Sequence, residues 1–266
     1  MTLLLGFYAF TVGAIIGSFL NVVIHRYPRE ESIVFPGSHC PHCNAAITWY
    51  DNIPVVSFLV LRGRCRACGA GIAWRYPLVE LANALFYLAI FLRTGPTVAF
   101  VVVAAIISLT IALIYIDADI QMLPDVIDLP GLALGLGAGA LGIGILHPRL
   151  MLAESLLDSV LGALLGAAIP LVIIGTYWLV RHIEGMGLGD VKMLAMIGAV
   201  TGWRAVPGVL LLASVTGAVI VLPTAMRSGH GMRQALPFGV FLGIAFLGVL
   251  FFGPTLGGLY AALFLR

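Results

Sequence analysis

Residues 185–194 read GMGLGDVKML and lie between two apolar runs, 156–180 and 191–203. Glycine occupies every second position from 185 to 189. Asp190 follows, then Lys192, the only lysine in the chain. The stretch sets a carboxylate and a permissive backbone at the mouth of an apolar helix, so its reading depends on what solvent that helix meets.

The composition answers this. Of 266 residues, 61% are hydrophobic and 10% charged, and the mean hydropathy is +1.09. A soluble chain of this length cannot hide so much apolar surface. A membrane-crossing helix needs about 20 apolar residues. The runs 3–24, 77–92, 97–116, 126–146, 156–180, 191–203, 205–225 and 237–264 therefore predict an all-α polytopic membrane protein of about eight spans. The run 191–203 is short for a span, so it is expected to be tilted, broken or shielded by neighbours. Continuous rather than alternating runs argue against a β-barrel. The first run lacks a basic leading region and a small-residue cleavage site before His25, so it is expected to stay as a helix.

The net charge of +2 says little, but its distribution says more. With residues 25–76 in the cytoplasm and sides alternating from there, ten of the 14 basic residues fall on the cytoplasmic side, Arg26, Arg62, Arg64 and Arg66 among them. That obeys the positive-inside bias. No block is dense or aromatic enough to suggest nucleic-acid binding.

Residues 25–76 interrupt the apolar pattern and hold all four cysteines, as CPHC (Cys40, Cys43) and CRAC (Cys65, Cys68), with 21 residues between the pairs. Two C-x2-C knuckles can present four thiolates to one tetrahedral ion. Structural zinc is the expectation, since so small a segment has little core of its own. Two disulfides or four free thiols are the other readings. His39 and His42 flank the first knuckle, but four cysteines already complete a site. The expected division is a first transmembrane helix (1–24), a cytoplasmic four-cysteine zinc-binding segment (25–76) and a helical membrane domain (77–266). Asn21, Glu80 and Asn83 lie in or at the ends of apolar runs, where polar groups face the bundle interior or an aqueous cavity. Inter-helix hydrogen bonding is the plain reading for them.

Four of the twelve acidic residues fall in IDADIQMLPDVID (116–128): Asp117, Asp119, Asp125 and Asp128. Leu123-Pro124 is expected to break the helix there. Alternating topology then puts Asp117 and Asp190 on the same side at similar depth. Two facing carboxylates do not ionise together easily, so one keeps a proton and the other acts as base on a water between them. Such a pair hydrolyses a peptide by general acid–base catalysis. Gly185, Gly187 and Gly189 clear the approach to Asp190 and permit unwound backbone with which an extended substrate can pair. Lys192 either reaches the interface or modulates Asp190. Asp117 and Asp119 are two residues apart, so only one of them can face the site. Solvated helix ends, N-caps and the coupling groups of a transporter are the competing readings.

Several stretches together resemble the bacterial type IV prepilin peptidases (leader peptidase/N-methyltransferases): GSFLNVVIHRYP (17–28), the paired CPHC and CRAC, RYPLVEL (75–81), IDADIQMLPD (116–125), GMGLGDVKML and ALPFGVFLG (235–243). They occur in family order over nearly the whole chain, and GMGLGDVK fits the GxGD pattern of intramembrane aspartyl proteases. The resemblance implies a catalytic pair at Asp117 and Asp190, with Asp119 the alternative for the first position. Asp119, Asp125, Gly187, Gly189 and Lys192 are then supporting residues. It implies cleavage of a basic leader after Gly, at the cytoplasmic face of the inner membrane, from type IV prepilins or type II secretion pseudopilins. It also implies methylation of the new N-terminus by S-adenosylmethionine, and the four-cysteine segment accompanies the bifunctional members. No methyltransferase residue is identified. Glu30, Glu31 and Glu184 are candidates to meet the basic leader. The family pattern has PFGP where this chain has PFGV, and Val240 is expected to alter only the local start of the last helix. A polytopic transporter or an assembly scaffold with a structural zinc site is the alternative from another class, though no internal repeat of transporter type is evident.

Overall fold

Lipid offers no partners for backbone N–H and C=O groups, so the apolar runs must form helices. The structure, a computed structural model, describes residues 1–182, 187–228 and 237–264, and their side chains except those of 221–228 and 256–264. Glu184, Gly185, Arg233 and Arg266 lie outside the described residues. Among the described residues the chain is helical: α1 Thr2–Arg26, α2 Val56–Val60, α3 Arg75–Thr94, α4 Val98–Ile120, α5 Asp125–Ala140, α6 Ile143–Leu146, α7 Leu156–Arg181, α8 Leu188–Thr201, α9 Val206–Ser228 and α10 Phe238–Phe264. Two isolated β-bridges, His39 with Ala46 and Arg64 with Gly71, are the only strand-like pairings among these residues.

Five described helical stretches are long and apolar enough to cross a membrane: Thr2–Arg29, Arg75–Thr94, Val98–Ile120, Leu156–Arg181 and Phe238–Thr255. The chain is a multi-pass, all-α membrane protein. The other expected runs form shorter helices, α5 with 16 residues, α8 with 14, and the apolar stretch Val206–Ile220 of α9.

The chain divides into two compact units, 1–112 and 113–266. In the first, α1 packs along α3. Gly13 faces Ala84 and Tyr87, and Gly17 faces Glu80 so closely that a Cβ there would lie 2.7 Å from the Glu80 Cα. Small residues let membrane helices approach where no hydrophobic effect drives them together. The buried polar groups are satisfied: Asn83 Nδ2 donates to the Gly13 carbonyl at 2.7 Å, Ser108 Oγ donates to Asn83 Oδ1 at 3.0 Å, and the Tyr87 hydroxyl bonds Ser108 at 3.0 Å. Asn21 Nδ2 donates to the Tyr76 carbonyl at 3.1 Å. Inter-helix hydrogen bonding thus accounts for Asn21 and Asn83.

In the second unit, α8 is the enclosed helix. Every residue from Met193 to Thr201 except Ala195 is buried, including Leu194, Met196 and Ile197 at 0% exposure. Gly162 of α7 sits directly against Gly198 of α8, and Gly166 against Leu194, with no room for a side chain. Neighbours therefore shield this short run. Ser155 caps α7 by accepting from the Asp158 N–H at 3.2 Å. Asp158 in turn accepts from the Glu154 and Trp203 N–H groups, which ties the start of α7 to the turn after α8.

Candidate active site and metal centre

The acid-rich stretch folds as Pro124 demands. The α4 helix ends at Ile120, Gln121 takes a left-handed φ of 53°, and Pro124 is the extended N-cap of α5. Asp117 lies in the last turn of α4 at 4% exposure, whereas Asp119 is exposed. The N-terminus of α10 meets Asp117: the Val240 N–H donates to Oδ2 at 3.0 Å, and the Gly239 N–H bonds the same carboxylate. Free N–H groups of a helix's first turn make a natural cradle for an anion. A Cβ on Gly239 would lie 2.9 Å from Oδ2, so glycine is required for this approach.

Asp190 lies in the first turn of α8, whose N-cap, Gly187, is extended (ψ 148°). Its carboxylate is close enough to Asp117 for the two charges to interact. Leu123, 8% exposed, wedges between the two helix starts: a Cβ on Gly189 would lie 3.0 Å from it, and one on Gly239 3.1 Å. The structure thus brings together Asp117, Asp190, Gly187 and Gly189, and turns Asp119 outward.

Lys192 does not reach outward alone. Its Nζ pairs with Asp125 Oδ1 at 2.5 Å and ties α8 to the start of α5. Asp125 therefore touches the site through Lys192. Asp128, one turn further along α5, is 1% exposed, and neither of its oxygens has a hydrogen-bond partner among the described residues. It interacts electrostatically with Asp125, Lys192 and Asp190. Its acid-rich neighbourhood was legible in the sequence, but its isolation was not. Val240 is the other residue that sequence reasoning undervalued. The variation from the PFGP pattern supplies an N–H that proline lacks, and that N–H binds Asp117.

The four cysteines converge in the first unit. Their Sγ atoms all lie within 4.8 Å of one another, and Cys40 and Cys68 are 3.9 Å apart. Thiolates around a tetrahedral zinc stand about 3.8 Å apart. Donor set and spacing both fit a closed tetrathiolate metal site, and no disulfide links the cysteines. The two knuckles are copies of one design. Cys40 N–H bonds Ala45 O and Cys65 N–H bonds Ala70 O, at 3.0 and 2.8 Å. Ile47 N–H bonds Ser38 O and Ile72 N–H bonds Gly63 O, at 2.9 and 2.7 Å. The sequence carries the same duplication, CPHCNAAITW against CRACGAGIAW. Arg66 holds the first half through a two-bond pair with Asp51, both at 2.7 Å.

Two charged residues near this segment serve structure. Arg26, 7% exposed, donates to the carbonyls of Ser32, Pro36 and Gly37 at 3.0, 2.8 and 3.2 Å. It fastens the chain leaving α1 and is more than a marker of membrane topology. Glu80, buried in α3, accepts from the Val55 N–H at 2.7 Å. Val55 has φ 62°, a strained conformation for a β-branched residue, costing on the order of 1–3 kcal/mol. Glu80 helps to hold it there.

A buried carboxylate at a helix N-terminus, a second one beside it and a separate cluster of four cysteines able to hold a metal are the chemical groups this membrane protein assembles. Comparison with known families agrees. The model for the bacterial peptidase A24 N-terminal domain matches residues 11–94, and that for the type IV leader peptidase family matches residues 104–222. The chain belongs to the type IV leader peptidase family. The prepilin leader peptidase/N-methyltransferase of Aeromonas hydrophila is 39% identical over 287 residues, covering 96% of this chain and 93% of that protein. The protein of the same name from Burkholderia pseudomallei (strain 1026b) is 35% identical, covering 92% and 85%. That of Myxococcus xanthus (strain DK1622) is 40% identical over 84% of this chain, which spans 64% of that protein's length. No solved structure matches the chain.

Proposed function

We propose that this chain is an aspartyl endopeptidase of the bacterial inner membrane. It cuts the basic leader from type IV prepilins, and from type II secretion pseudopilins, after Gly at the cytoplasmic face. Residues 77–266 form the peptidase domain, and residues 25–76 form a zinc-stapled cytoplasmic segment. The observation that carries the reading is the convergence of Asp117 and Asp190 from two helix termini, with Asp117 held by the first N–H groups of α10.

In this reading Asp117 and Asp190 share one proton and bind a water between them. The ionised carboxylate takes a proton from the water as its oxygen attacks the scissile carbonyl carbon. The protonated carboxyl gives its proton to the carbonyl oxygen. As the tetrahedral intermediate collapses, the C–N bond breaks, the leaving amine takes a proton from the protonated carboxyl, and the other carboxylate takes one from a gem-diol hydroxyl, so that the pair again holds a single proton. The Val240 and Gly239 N–H groups fix the orientation of Asp117, and the Lys192–Asp125 pair holds the start of α8 in place. Such preorganisation matters because a misplaced acid or base loses most of its effect.

The relatives' names carry a second activity, N-methylation, and we extend it to the amine released here. S-adenosylmethionine supplies the methyl group. Zinc is the metal we assign to Cys40, Cys43, Cys65 and Cys68, in a structural role, since four thiolates leave no open position. The arginine asymmetry supports a cytoplasmic location for this segment and both aspartates. The test is incubation of purified enzyme with a prepilin in detergent, with and without the methyl donor, followed by mass analysis of the product N-terminus. The reading expects a shortened chain beginning after Gly, methylated only when the donor is present. An intact prepilin overturns it.

A further inference from the structure

The segment between α1 and α3 carries an apolar surface that the peptidase and metal sites do not use. The α2 helix, VSFLV, buries only Phe58. Val56, Leu59 and Val60 are 53%, 65% and 69% exposed. Trp74 is 70% exposed beside it.

Two contacts fix where this surface lies. The ring of Phe58 packs on that of Trp74 with centroids 4.8 Å apart. Trp74 is the N-cap of α3, a helix long and apolar enough to span the bilayer, so it stands where that helix meets the membrane surface. The second contact lies deeper. Val55, which immediately precedes α2, donates its N–H to Glu80, more than a turn inside α3. Gly63 then closes the turn after α2 against Phe58, since a Cβ there would meet its ring at 3.0 Å. The α2 helix is therefore held, through Val55 before it and Phe58 at its middle, to the N-cap and second turn of a membrane helix. Beyond it the chain turns polar, with Arg62 and Arg64 exposed.

We propose that α2 lies in the membrane interface, with Val56, Leu59 and Val60 among the lipid headgroups and upper acyl chains, and with Arg62 and Arg64 toward anionic headgroups. An apolar face at this depth, bordered by tryptophan and arginine, has the pattern of an interfacial element. The cysteine segment is then a monotopic platform seated on the bilayer rather than a domain suspended in water. The strained Val55 and buried Glu80 set the angle at which it sits.

The test places a tryptophan on the exposed face, Leu59→Trp and separately Val60→Trp, in protein whose Trp49, Trp178 and Trp203 are phenylalanine. Trp74 remains as the parent signal. Each variant is placed in nanodiscs of phosphatidylcholine and phosphatidylglycerol, with or without bromine near the headgroup end of the acyl chains. Retained prepilin cleavage confirms folding. We expect the added fluorescence to fall at least twofold with brominated lipid, and acrylamide to quench it several-fold less than a free tryptophan derivative. Full acrylamide access with no effect of bromine overturns the proposal. So does protection from acrylamide without bromine quenching, which means that protein covers the face.

Discussion

The backbone N–H of Val240 donates a hydrogen bond to the carboxylate of Asp117 at 3.0 Å, joining the last turn of α4 to the first turn of α10. Proline has no N–H but is tolerated in a helix's first turn. Val240→Pro should therefore fold but lose this bond along with the weaker one that the same N–H makes to the Pro237 carbonyl at 3.2 Å, lowering the cleavage rate by about tenfold, the effect of a hydrogen bond worth about 1–1.5 kcal/mol. Val240→Ala keeps the N–H and should cut at the normal rate. Gly239→Ala should be far more damaging, because its Cβ would collide with both Asp117 and Leu123. Steady-state cleavage of a prepilin by the three variants checks the ranking.

Asp128 makes a contrasting case. A buried carboxylate without hydrogen bonds weakens the fold that contains it, and an apolar replacement of similar shape removes that cost. Asp128→Leu should stabilise the protein by about 1–3 kcal/mol, the desolvation cost of an unpartnered polar group. It should raise the melting temperature in detergent and leave cleavage nearly unchanged. A lower melting temperature together with lost cleavage would mean that the active site uses this carboxylate.

The cysteine centre should respond to acid in a definite direction. The backbone N–H groups of Cys43 and His42 lower the Cys40 thiol to about 6, so it is largely thiolate at neutral pH. Cys68 is pushed up to about 11 by the thiols around it, against the pull of a backbone bond at Ala70. Metal binds the thiolate form, and protons compete with it. Uptake of zinc at pH 7 should release protons, Cys68 being a thiol that must ionise to bind. Affinity should fall as pH drops, most steeply once Cys40 itself takes up a proton near 6. Metal analysis across a pH series, with proton release followed in weak buffer, tests this. Chelation at pH 7 should loosen residues 38–74, seen as faster amide exchange there.

Much of this was legible in the sequence because lipid leaves few choices. Continuous apolar runs fix the helices, and Pro124 fixes the break between α4 and α5. The cysteine spacing announced its centre, and its internal duplication was present in the letters. Helical periodicity showed only that one of Asp117 and Asp119 could face the site, and the preference for Asp117 came from the family resemblance. What stayed hidden depends on distant parts of the chain. Nothing local marks Val240 as the donor to Asp117, Leu123 as the wedge between two glycines, or Arg26 as a clamp on three carbonyls. The isolation of Asp128 is equally invisible, because it consists of what fails to surround that residue.

The central claim is that Asp117 and Asp190 form the reacting pair. The most direct measurement is cleavage of a purified prepilin by wild type, Asp117→Asn, Asp119→Asn and Asp190→Asn, each with a normal melting temperature. Loss of a general acid or base typically costs about 10²–10⁴-fold in rate. The account predicts a loss of that size for Asp117→Asn and for Asp190→Asn, with Asp119→Asn within a few-fold of wild type. Normal cutting by Asp117→Asn or Asp190→Asn, or an inert Asp119→Asn, would contradict it.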